Sequence, residues 1–448
     1  MTVGAALPGD ALHRLHARFP DRYPVLLESV GGDAPLGRHD VLLALPGEQL
    51  VQRPDGRLEG HATDPNAPFL RALDHWFLEE RAPSAGPHPF SGGWFLYLGY
   101  ELAAEIEPTL HFPQSRHARA IAWRMRGAII RDRVTGEVEV AAERGQQDAL
   151  RRQLESDLAA APERPTVPTR LLDGPVEEEA PERFLRGVEA VLEAIGRGDV
   201  YQANLSRGWR ATLASGVSAP DLYRRLRSAN PAPFAGSAAL HGFVLLSSSP
   251  ERLLEVRDGR ASTRPIAGTR PRGHDSSADA SMKRELVLSE KERAEHVMLV
   301  DLERNDLGRI CRGGTVHVDE FMTVETYATV HHIVSNVRGE LREGVTPGEA
   351  IAAVFPGGTI TGCPKVRCMQ LLADLEGQAR DAYTGSMGYL GVDGALDLNI
   401  LIRTLTVADG RVDFRTGAGI VADSRPAAEL DETRAKAQGI LRALESER

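Results

Sequence analysis

The chain has 448 residues and a formal net charge of −10, with 42% hydrophobic and 26% charged residues. This composition is ordinary for a globular protein of two or three domains, or of one large domain with extensions, and the acidic balance argues against nucleic-acid binding. No apolar run reaches the roughly 18 residues that a membrane span requires, and the N-terminus lacks a secretion-signal pattern. The three cysteines are too few for a disulfide framework and fit a reducing compartment. We therefore expect a cytoplasmic protein with no membrane or nucleic-acid partner.

The first 160 residues predict a mixture of strands and helix. Residues 24–30 and 41–45 are predicted strands, and residues 92–102 a packed strand and turn. Residues 68–80 are predicted to form a helix with one apolar stripe. Residues 118–142 predict a hairpin that turns at 134–136.

A boundary between two regions follows at residues 159–182, which contain five prolines and an acidic run at 177–179. Because proline lacks an amide donor and like charges repel, this segment predicts a surface linker. It separates an N-terminal region, residues 1–165, from a second region, residues 177–446.

The second region alternates predicted helices and strands. Helices are expected at 182–195, with Gly196 as its stop, and at 280–301, 346–354, 365–375 and 426–444. Strands are expected at 242–247, 333–341, 382–390, 398–407 and 412–421, with a hairpin turn at 408–410. Helices and hairpins in this mixture predict an α+β fold.

Two pairs of glutamates are spaced three residues apart on predicted helices: Glu292 with Glu295, and Glu429 with Glu432. This spacing places both members of a pair on one helix face. Glu429, Glu432 and Lys436 share a sector of about 60°, separate from the apolar stripe, so we expect these acids off the core face. Facing pairs could supply oxygen ligands to Mg²⁺. Taken alone, the same spacing is also typical of two solvated helix faces.

Three glycine-rich turns, RPIAGTRPRG at 264–273, PGGTITGCPK at 356–365 and GAGI at 417–420, could bring backbone amides close to an anion. Beside Arg403 and Lys436 they could hold carboxylates. None matches a P-loop or a dinucleotide-binding fingerprint, and each could simply be a tight turn.

Other candidates for chemistry are His331, His332, Glu251 and Cys363. Adjacent strand residues point to opposite faces, so one histidine could handle a proton while the other lies at the surface. A structural histidine is the alternative. Glu251 follows a predicted strand, where a carboxyl group could act as a general acid or simply face solvent. A cysteine hydrolase built on Cys363 is conceivable, but nothing nearby resembles a nucleophile elbow, and a buried thiol is the simpler role.

Read together, these segments resemble the chorismate-utilising enzyme family, which includes anthranilate, aminodeoxychorismate, isochorismate and salicylate synthases. The resemblance covers the whole chain and is strongest from about residue 182 to 444. It rests on SSSPERLL, RPIAGTRPRG, ERAEHVMLVDLERNDLGR, HHIVSNVRG, GGTITGCPKVRCMQLL, YTGSMGYLG, LNILIRTL, GAGIVADS and ELDETRAKA. It implies a large α+β sandwich of two antiparallel sheets with helices outside, in which residues 1–165 and 177–446 are interwoven.

The resemblance also implies roles for individual residues. Glu295 and Glu432 would bind Mg²⁺, with Glu292 and Glu429 close by holding waters, and the metal would neutralise the ring carboxylate of chorismate. Glu251 would protonate the leaving C4 hydroxyl, and His332 would lie near the reacting ring. Tyr383 and Arg403 would bind the enolpyruvyl carboxylate. The remaining pocket residues would be Gly268, Thr269, Thr359, Gly417, Gly419 and Lys436.

Individual segments divide between two members of the family. Ala267 occupies a position that is lysine in many aminodeoxychorismate synthases, and PIAGT resembles anthranilate synthases. YQANL at 201–205, GGTITG at 357–362 and TGSMGY at 384–389 instead resemble aminodeoxychorismate synthases. LLES at 26–29 matches one segment of a regulatory tryptophan site, whereas NPAPFAG at 230–236 departs from another. A PIAGT-type subclass of aminodeoxychorismate synthases, in which ammonia replaces the lysine, accommodates both sets of features. Isochorismate and salicylate synthases fit less well.

The sequence contains no recognisable glutamine amidotransferase region, so the resemblance implies a heterodimer in which a separate subunit supplies ammonia. The non-enzymatic alternative is an inactive regulatory homologue. That alternative predicts loss of acids from the Mg²⁺ set, and all four are present.

Overall fold

The computed structural model describes residues 7, 9–31, 37–61, 64–83, 86, 88–161, 168–327 and 330–445. The centre of the predicted linker, residues 162–167, lies outside this part of the chain. The described helices are α1 Ala11–Arg18, α2 Phe69–Glu80, α3 Ala103–Ile106, α4 Gln147–Ala160, α5 Pro181–Gly196, α6 Ala219–Ala229, α7 Ser276–Leu288, α8 Glu290–Gly308, α9 Pro347–Val354, α10 Lys365–Glu376 and α11 Pro426–Leu444. Short 3₁₀ helices lie at Tyr100–Leu102 and Gly358–Ile360.

The strands of the first half are β1 Val25–Glu28, β2 His39–Gln52, β3 Leu58–Gly60, β4 Gly93–Leu98, β5 Ala120–Asp132, β6 Val138–Ala142, β7 Glu177–Glu178, β8 Gln202–Thr212, β9 Phe234–Leu240 and β10 Phe243–Ser249. Those of the second half are β11 Arg252–Arg257, β12 Arg260–Arg264, β13 Ile266–Pro271, β14 His317–Thr326, β15 Val330–Glu340, β16 Gly362–Cys363, β17 Ser386–Gly391, β18 Leu396–Asn399, β19 Thr404–Ala408 and β20 Arg411–Ile420.

The pairings of these strands are antiparallel and form one path that folds over itself. One part runs β8–β20–β19–β10–β9–β1–β2, and the other continues β5–β4–β17–β18–β11–β12–β15. A buried apolar cluster contains residues of β1, β9 and β10 together with residues of β4, β5 and β17, so it packs the two parts face to face. Two further clusters join the outer faces to helices α2 and α9 and to helices α1, α6 and α11. The α+β sandwich with helices outside is confirmed.

Strands from the two ends of the chain pair directly. β4 pairs with β17 along its whole length, from Gly93↔Gly391 to Leu98↔Ser386, and β1 pairs with β9. Residues 1–165 and 177–446 therefore contribute neighbouring strands to the same sheet.

Several predicted elements are confirmed, including the helix at 426–444 and the hairpin that joins β5 to β6. Others are corrected by local chemistry. The helix predicted at 280–301 is two helices, because the side chain of Ser289 accepts from the backbone N–H of Glu292 and caps α8. Gly196 does not stop α5, which includes it. The strand predicted at 382–390 begins only at Ser386, and the acidic run of the predicted linker contains a short strand, β7, paired with β8.

The strand predicted at 398–407 is also two strands, β18 and β19. The intervening turn contains Arg403 at a φ of 51°, a left-handed conformation that interrupts the sheet. Backbone outliers of this kind are found most often at functional sites, so the turn is a candidate for one.

Candidate active site

Glu251 lies in the short connection between β10 and β11 and is 5% exposed. Thr359 Oγ1 donates a 2.8 Å hydrogen bond to its Oε1, and the backbone N–H of Ile266 donates to the same carboxyl group. Burial raises the pKa of Glu251 to about 7, against the opposing effects of these hydrogen bonds and of the positive charges of Arg403 and Lys436. Near neutral pH, Glu251 is therefore protonated in a large fraction of the protein molecules, as a general acid requires.

Arg403 is tied to Glu251 through backbone as well as charge. The N–H of Ile400, at the start of the turn that contains Arg403, donates to the carbonyl oxygen of Glu251 at 3.0 Å. Burial lowers the pKa of Arg403, and the negative charge of Glu251 opposes that effect. A guanidinium that retains its charge in this setting is suited to binding a carboxylate.

His332 lies on β15, opposite Thr269 of β13, and is 1% exposed. It forms a hydrogen bond with the backbone of Gly268, at a bulge where Gly268 has a φ of 68°. Burial, followed by the positive charge of Arg403, lowers the pKa of His332 to about 3, so its imidazole is neutral at physiological pH. Its neutral ring can orient a substrate but cannot serve as a cationic acid. The side chain of Thr269 lies outside the described part of the structure.

His331 is not a surface residue, and the prediction that one of the two adjacent histidines faces solvent is wrong. It is fully buried, with Nε2 2.9 Å from Asp279 Oδ1 and Nδ1 3.0 Å from Thr326 Oγ1. Asp279, a residue of helix α7, contacts His331. Helix α7 therefore covers the face of the sheet that was expected to face solvent.

Ala267 precedes Gly268 on β13 and pairs with Ile333. Its methyl group is 6% exposed and offers no nucleophile. The structure therefore places a small apolar side chain one residue from the backbone that holds His332.

Tyr383 and Lys436 meet at the backbone of Gly417. Lys436 Nζ donates to the carbonyl oxygen of Gly417 at 3.0 Å, and a Cβ atom at Gly417 would lie only 2.7 Å from Tyr383 Oη. Burial raises the pKa of Tyr383, so the phenol keeps its proton and can donate it in a hydrogen bond. Glycine at 417 is thus required by close approach.

Lys436 also links the two ends of the site. Its Nζ lies 2.7 Å from Glu432 Oε1, and its charge acts on Glu251, His332, Tyr383 and Glu295. Burial lowers the pKa of Lys436, but the charge and hydrogen bond of Glu432, together with Tyr383 and Glu295, raise it, and the net shift is upward. The ammonium group is therefore charged in the middle of the arrangement.

The acidic pairs lie on α8 and α11, as predicted. Burial raises the pKa of Glu295, the N–H donated by Gln202 opposes this rise, and the negative charges of Glu292 and Glu432 add to it. The prediction that both acids of α11 lie off the core face is wrong for Glu429, which is 5% exposed, whereas the Glu432 side chain is 47% exposed. Glu429 lies one turn before the buried Thr433 and next to the buried Leu430, so it belongs to the buried side of α11.

The carboxylate oxygens of these glutamates are ligands that a hard divalent cation prefers. A cation would also relieve the repulsion of Glu295 by Glu292 and Glu432. In the described structure Glu432 is instead paired with Lys436, and Glu292 Oε1 lies 3.1 Å from Arg270 Nη1. Among the residues that the structure describes, no three His, Cys, Asp or Glu side chains converge as a group that could hold a metal ion. The magnesium assignment stays a prediction.

The sequence reasoning missed two site residues, Gln202 and Asn204. Gln202 Nε2 donates to Glu295 Oε1 at 2.7 Å, and Asn204 is hydrogen-bonded to Tyr383. The available signal was the alternation of polar residues in YQANLS, which on a strand puts them on one face.

The comparisons with known proteins agree with this geometry. The family model for chorismate binding enzymes matches residues 35–442. The aminodeoxychorismate synthase component 1 of Bacillus subtilis is 38% identical over 397 residues, covering 84% of this chain and 82% of that protein. The anthranilate synthase component 1 of Geobacillus stearothermophilus is 36% identical over 473 residues, covering 96% and 91%.

A solved structure, anthranilate synthase component I from Streptococcus pneumoniae, matches with a TM-score of 0.81 at 29% identity, covering 98% of this chain and 99% of that one. This chain belongs to the chorismate-binding enzymes, so it is an enzyme that acts on chorismate. Relatives with both names occur at similar identity, and the family alone leaves the reaction open. Within the described residues, none of the helices is long and apolar enough to cross a membrane.

Proposed function

We propose that this enzyme aminates chorismate at C4 to give 4-amino-4-deoxychorismate, in p-aminobenzoate and folate biosynthesis. The observation that carries this proposal is that Asn204, from the YQANL segment resembling aminodeoxychorismate synthases, is bonded to Tyr383 in the site. This hydrogen bond supports the proposal because the segment that resembles aminodeoxychorismate synthases lies in the candidate site rather than on a remote surface.

In this proposal Glu251 delivers its proton to the departing C4 hydroxyl. Its pKa of about 7 and its place beside Arg403 support that role. Tyr383 and Arg403 hold the enolpyruvyl carboxylate, which is retained in the product. Neutral His332 packs near the ring.

Glu295 and Glu432, with Glu292 and Glu429 nearby, would hold Mg²⁺. The ion would neutralise the ring carboxylate and draw electron density from the diene. The negative charges of Glu292 and Glu432 act on the half-buried carboxylate of Glu295, and this proximity supports the assignment.

Ala267 bears on the route because it cannot attack C2 covalently. We propose instead that ammonia adds at C2 as the C4 hydroxyl leaves, which gives an intermediate that is not covalently bound to the enzyme. A second ammonia then adds at C4, and the first leaves from C2. The ammonia comes from a separate glutamine amidotransferase subunit in a heterodimer. A pull-down with such a subunit in the presence of glutamine and chorismate tests the association, and failure to recover it counts against the heterodimer.

A second candidate, anthranilate synthase component I, is favoured by two observations. One is Ala267 itself. The other is a cavity of about 390 Å³ lined by Leu27, Glu28, Ser29 and Phe234, from the two segments compared above with a tryptophan site. Inhibition by tryptophan would favour this candidate.

A product assay separates the two candidates. Purified protein, chorismate, Mg²⁺ and excess ammonium are incubated at mildly alkaline pH and analysed by liquid chromatography with mass detection. We expect a product that retains the enolpyruvyl group and is converted to p-aminobenzoate by an added lyase. Anthranilate with released pyruvate as the main product would refute C4 amination.

A further inference from the structure

Strand β8 opens with a row of buried polar side chains. Gln202, Asn204 and Ser206 alternate along the strand and so lie on one face, and they are 3%, 7% and 6% exposed. Buried polar groups are costly without partners, so their partners indicate what each residue does.

Among the described residues, the side chain of Gln202 is hydrogen-bonded to Glu295. Its Nε2 donates to Glu295 Oε1 at 2.7 Å, whereas its Oε1 has no hydrogen-bond partner among the described residues. Gly419 on the adjacent strand leaves room for this amide, because a Cβ atom there would lie 2.5 Å from Gln202 Nε2. The amide is confined between β20 and α8 and is aimed at one carboxylate.

Glu295 accepts this N–H at one of its two carboxylate oxygens, Oε1. An N–H donated to one oxygen fixes the plane of the carboxylate and leaves the other oxygen free to bind a ligand. Residues of this kind, one step behind a metal ligand, orient that ligand.

Asn204, two residues further along β8, is likewise hydrogen-bonded to a side chain of the site. Its Nδ2 donates to the carbonyl oxygen of Ile360 at 3.1 Å, and it is hydrogen-bonded to the Tyr383 side chain. Nδ2 also lies 3.1 Å from the position of a Cβ atom at Gly417, where Tyr383 and Lys436 meet.

We propose that β8 is a positioning strand for the active site. Gln202 holds Glu295 in the orientation needed for the divalent cation, and Asn204 holds Tyr383 in the orientation needed for the substrate carboxylate. This inference rests on the proposed function. Because the two residues contact different side chains, Glu295 and Tyr383, their effects are separable.

The test uses near-isosteric side chains that lack hydrogen-bonding groups, Gln202→Met and Asn204→Leu. Gln52→Met is the matched control. Gln52 is also a buried glutamine whose Nε2 donates to a carboxylate, Glu105 at 3.1 Å, and whose Oε1 has no partner within the described residues. It lies on β2, away from the site.

Three quantities are measured on the full chain: the affinity for Mg²⁺ by calorimetry with chorismate present and ammonia withheld, the KM for chorismate at saturating Mg²⁺, and Tm. We expect Gln202→Met to weaken Mg²⁺ binding by about 10- to 100-fold, with the KM for chorismate changed less than threefold. Asn204→Leu raises the KM for chorismate and leaves Mg²⁺ affinity unchanged. Gln52→Met lowers Tm alone.

The positioning role is refuted if Gln202→Met changes only Tm, as the control does, or if both site variants alter both constants equally. Should Gln202→Met fail to fold, Gln202→Asn withdraws the donor by one methylene group and is expected to weaken Mg²⁺ binding in the same direction. A wild-type protein that neither binds Mg²⁺ nor aminates chorismate refutes the proposed function itself. If the wild type binds Mg²⁺ and aminates chorismate, but the two variants do not separate the effect on Mg²⁺ affinity from the effect on the KM for chorismate, only this inference is refuted.

Discussion

Replacing Glu251 with glutamine tests whether this buried carboxyl group keeps its proton. The substitution preserves shape and hydrogen-bonding capacity but removes the ability to ionise. Burial moves the pKa of Glu251 from 4.5 to about 7. The difference of about 2.5 units corresponds to about 3.4 kcal/mol at 1.36 kcal/mol per unit.

The sign of the effect follows from proton binding. The folded protein holds this proton more tightly than the unfolded chain, so the wild type loses stability as pH rises from 4.5 through 7. Glu251→Gln does not share that loss. Its free energy of unfolding should therefore increase relative to wild type by up to about 3.4 kcal/mol between pH 4.5 and pH values above 7.

Urea denaturation at pH 5, 6, 7 and 8 measures this difference, with Glu343→Gln at an exposed position as the control. The same Glu251 variant should lose about 10²- to 10⁴-fold in kcat as a missing general acid. A stability difference that does not change with pH would refute the claim that Glu251 is protonated. A pH-dependent difference with full activity would leave the proton in place but refute its role in the reaction.

Three further outcomes are expected. Gly268→Ala should lower Tm and activity at a cost of about 1–3 kcal/mol, because φ is 68° and a Cβ atom would lie 2.9 Å from Glu292 Oε2. Glu295→Ala and Glu432→Ala should lose Mg²⁺-dependent turnover with unchanged circular dichroism; full activity in both would remove the metal assignment. His332→Gln should resist acid better than wild type in a pH titration of unfolding. Since the pKa of His332 falls from 6.5 to about 3, the wild type loses stability as pH drops through this window, by about 2.7 kcal/mol at pH 4.5, and equal acid sensitivity would contradict this.

Most of the helical framework could be predicted because its signals are local. The apolar period of α11 and Pro426 in its first turn gave the bounds of that helix. Ser289 shows the limit of this reasoning, since the predicted helix runs through it, whereas its backbone is extended and its side chain caps the start of α8.

Most residues of the candidate site could be predicted from the sequence, but their burial and contacts could be predicted less well. Glu251, Arg403 and Glu295 came from motifs, whereas the burial of Glu429 and His331 depends on which elements cover them. Gln202 was missed because a polar residue at a strand start usually faces solvent, and only the approach of α8 turns it into a partner of Glu295.

The pairing of β4 with β17 has a consequence for how this chain reaches its native state. Residues 93–98 find their partner at 386–391, almost three hundred residues later, so they are synthesised long before that partner exists. Contacts of such separation slow folding and leave strand edges open to other chains in the meantime. We expect β4, with Trp94, Phe95 and Tyr97 in its sequence, to be the segment that most needs shielding during synthesis. The site residues, which extend from 202 to 436, then assemble only after nearly the whole chain has been made.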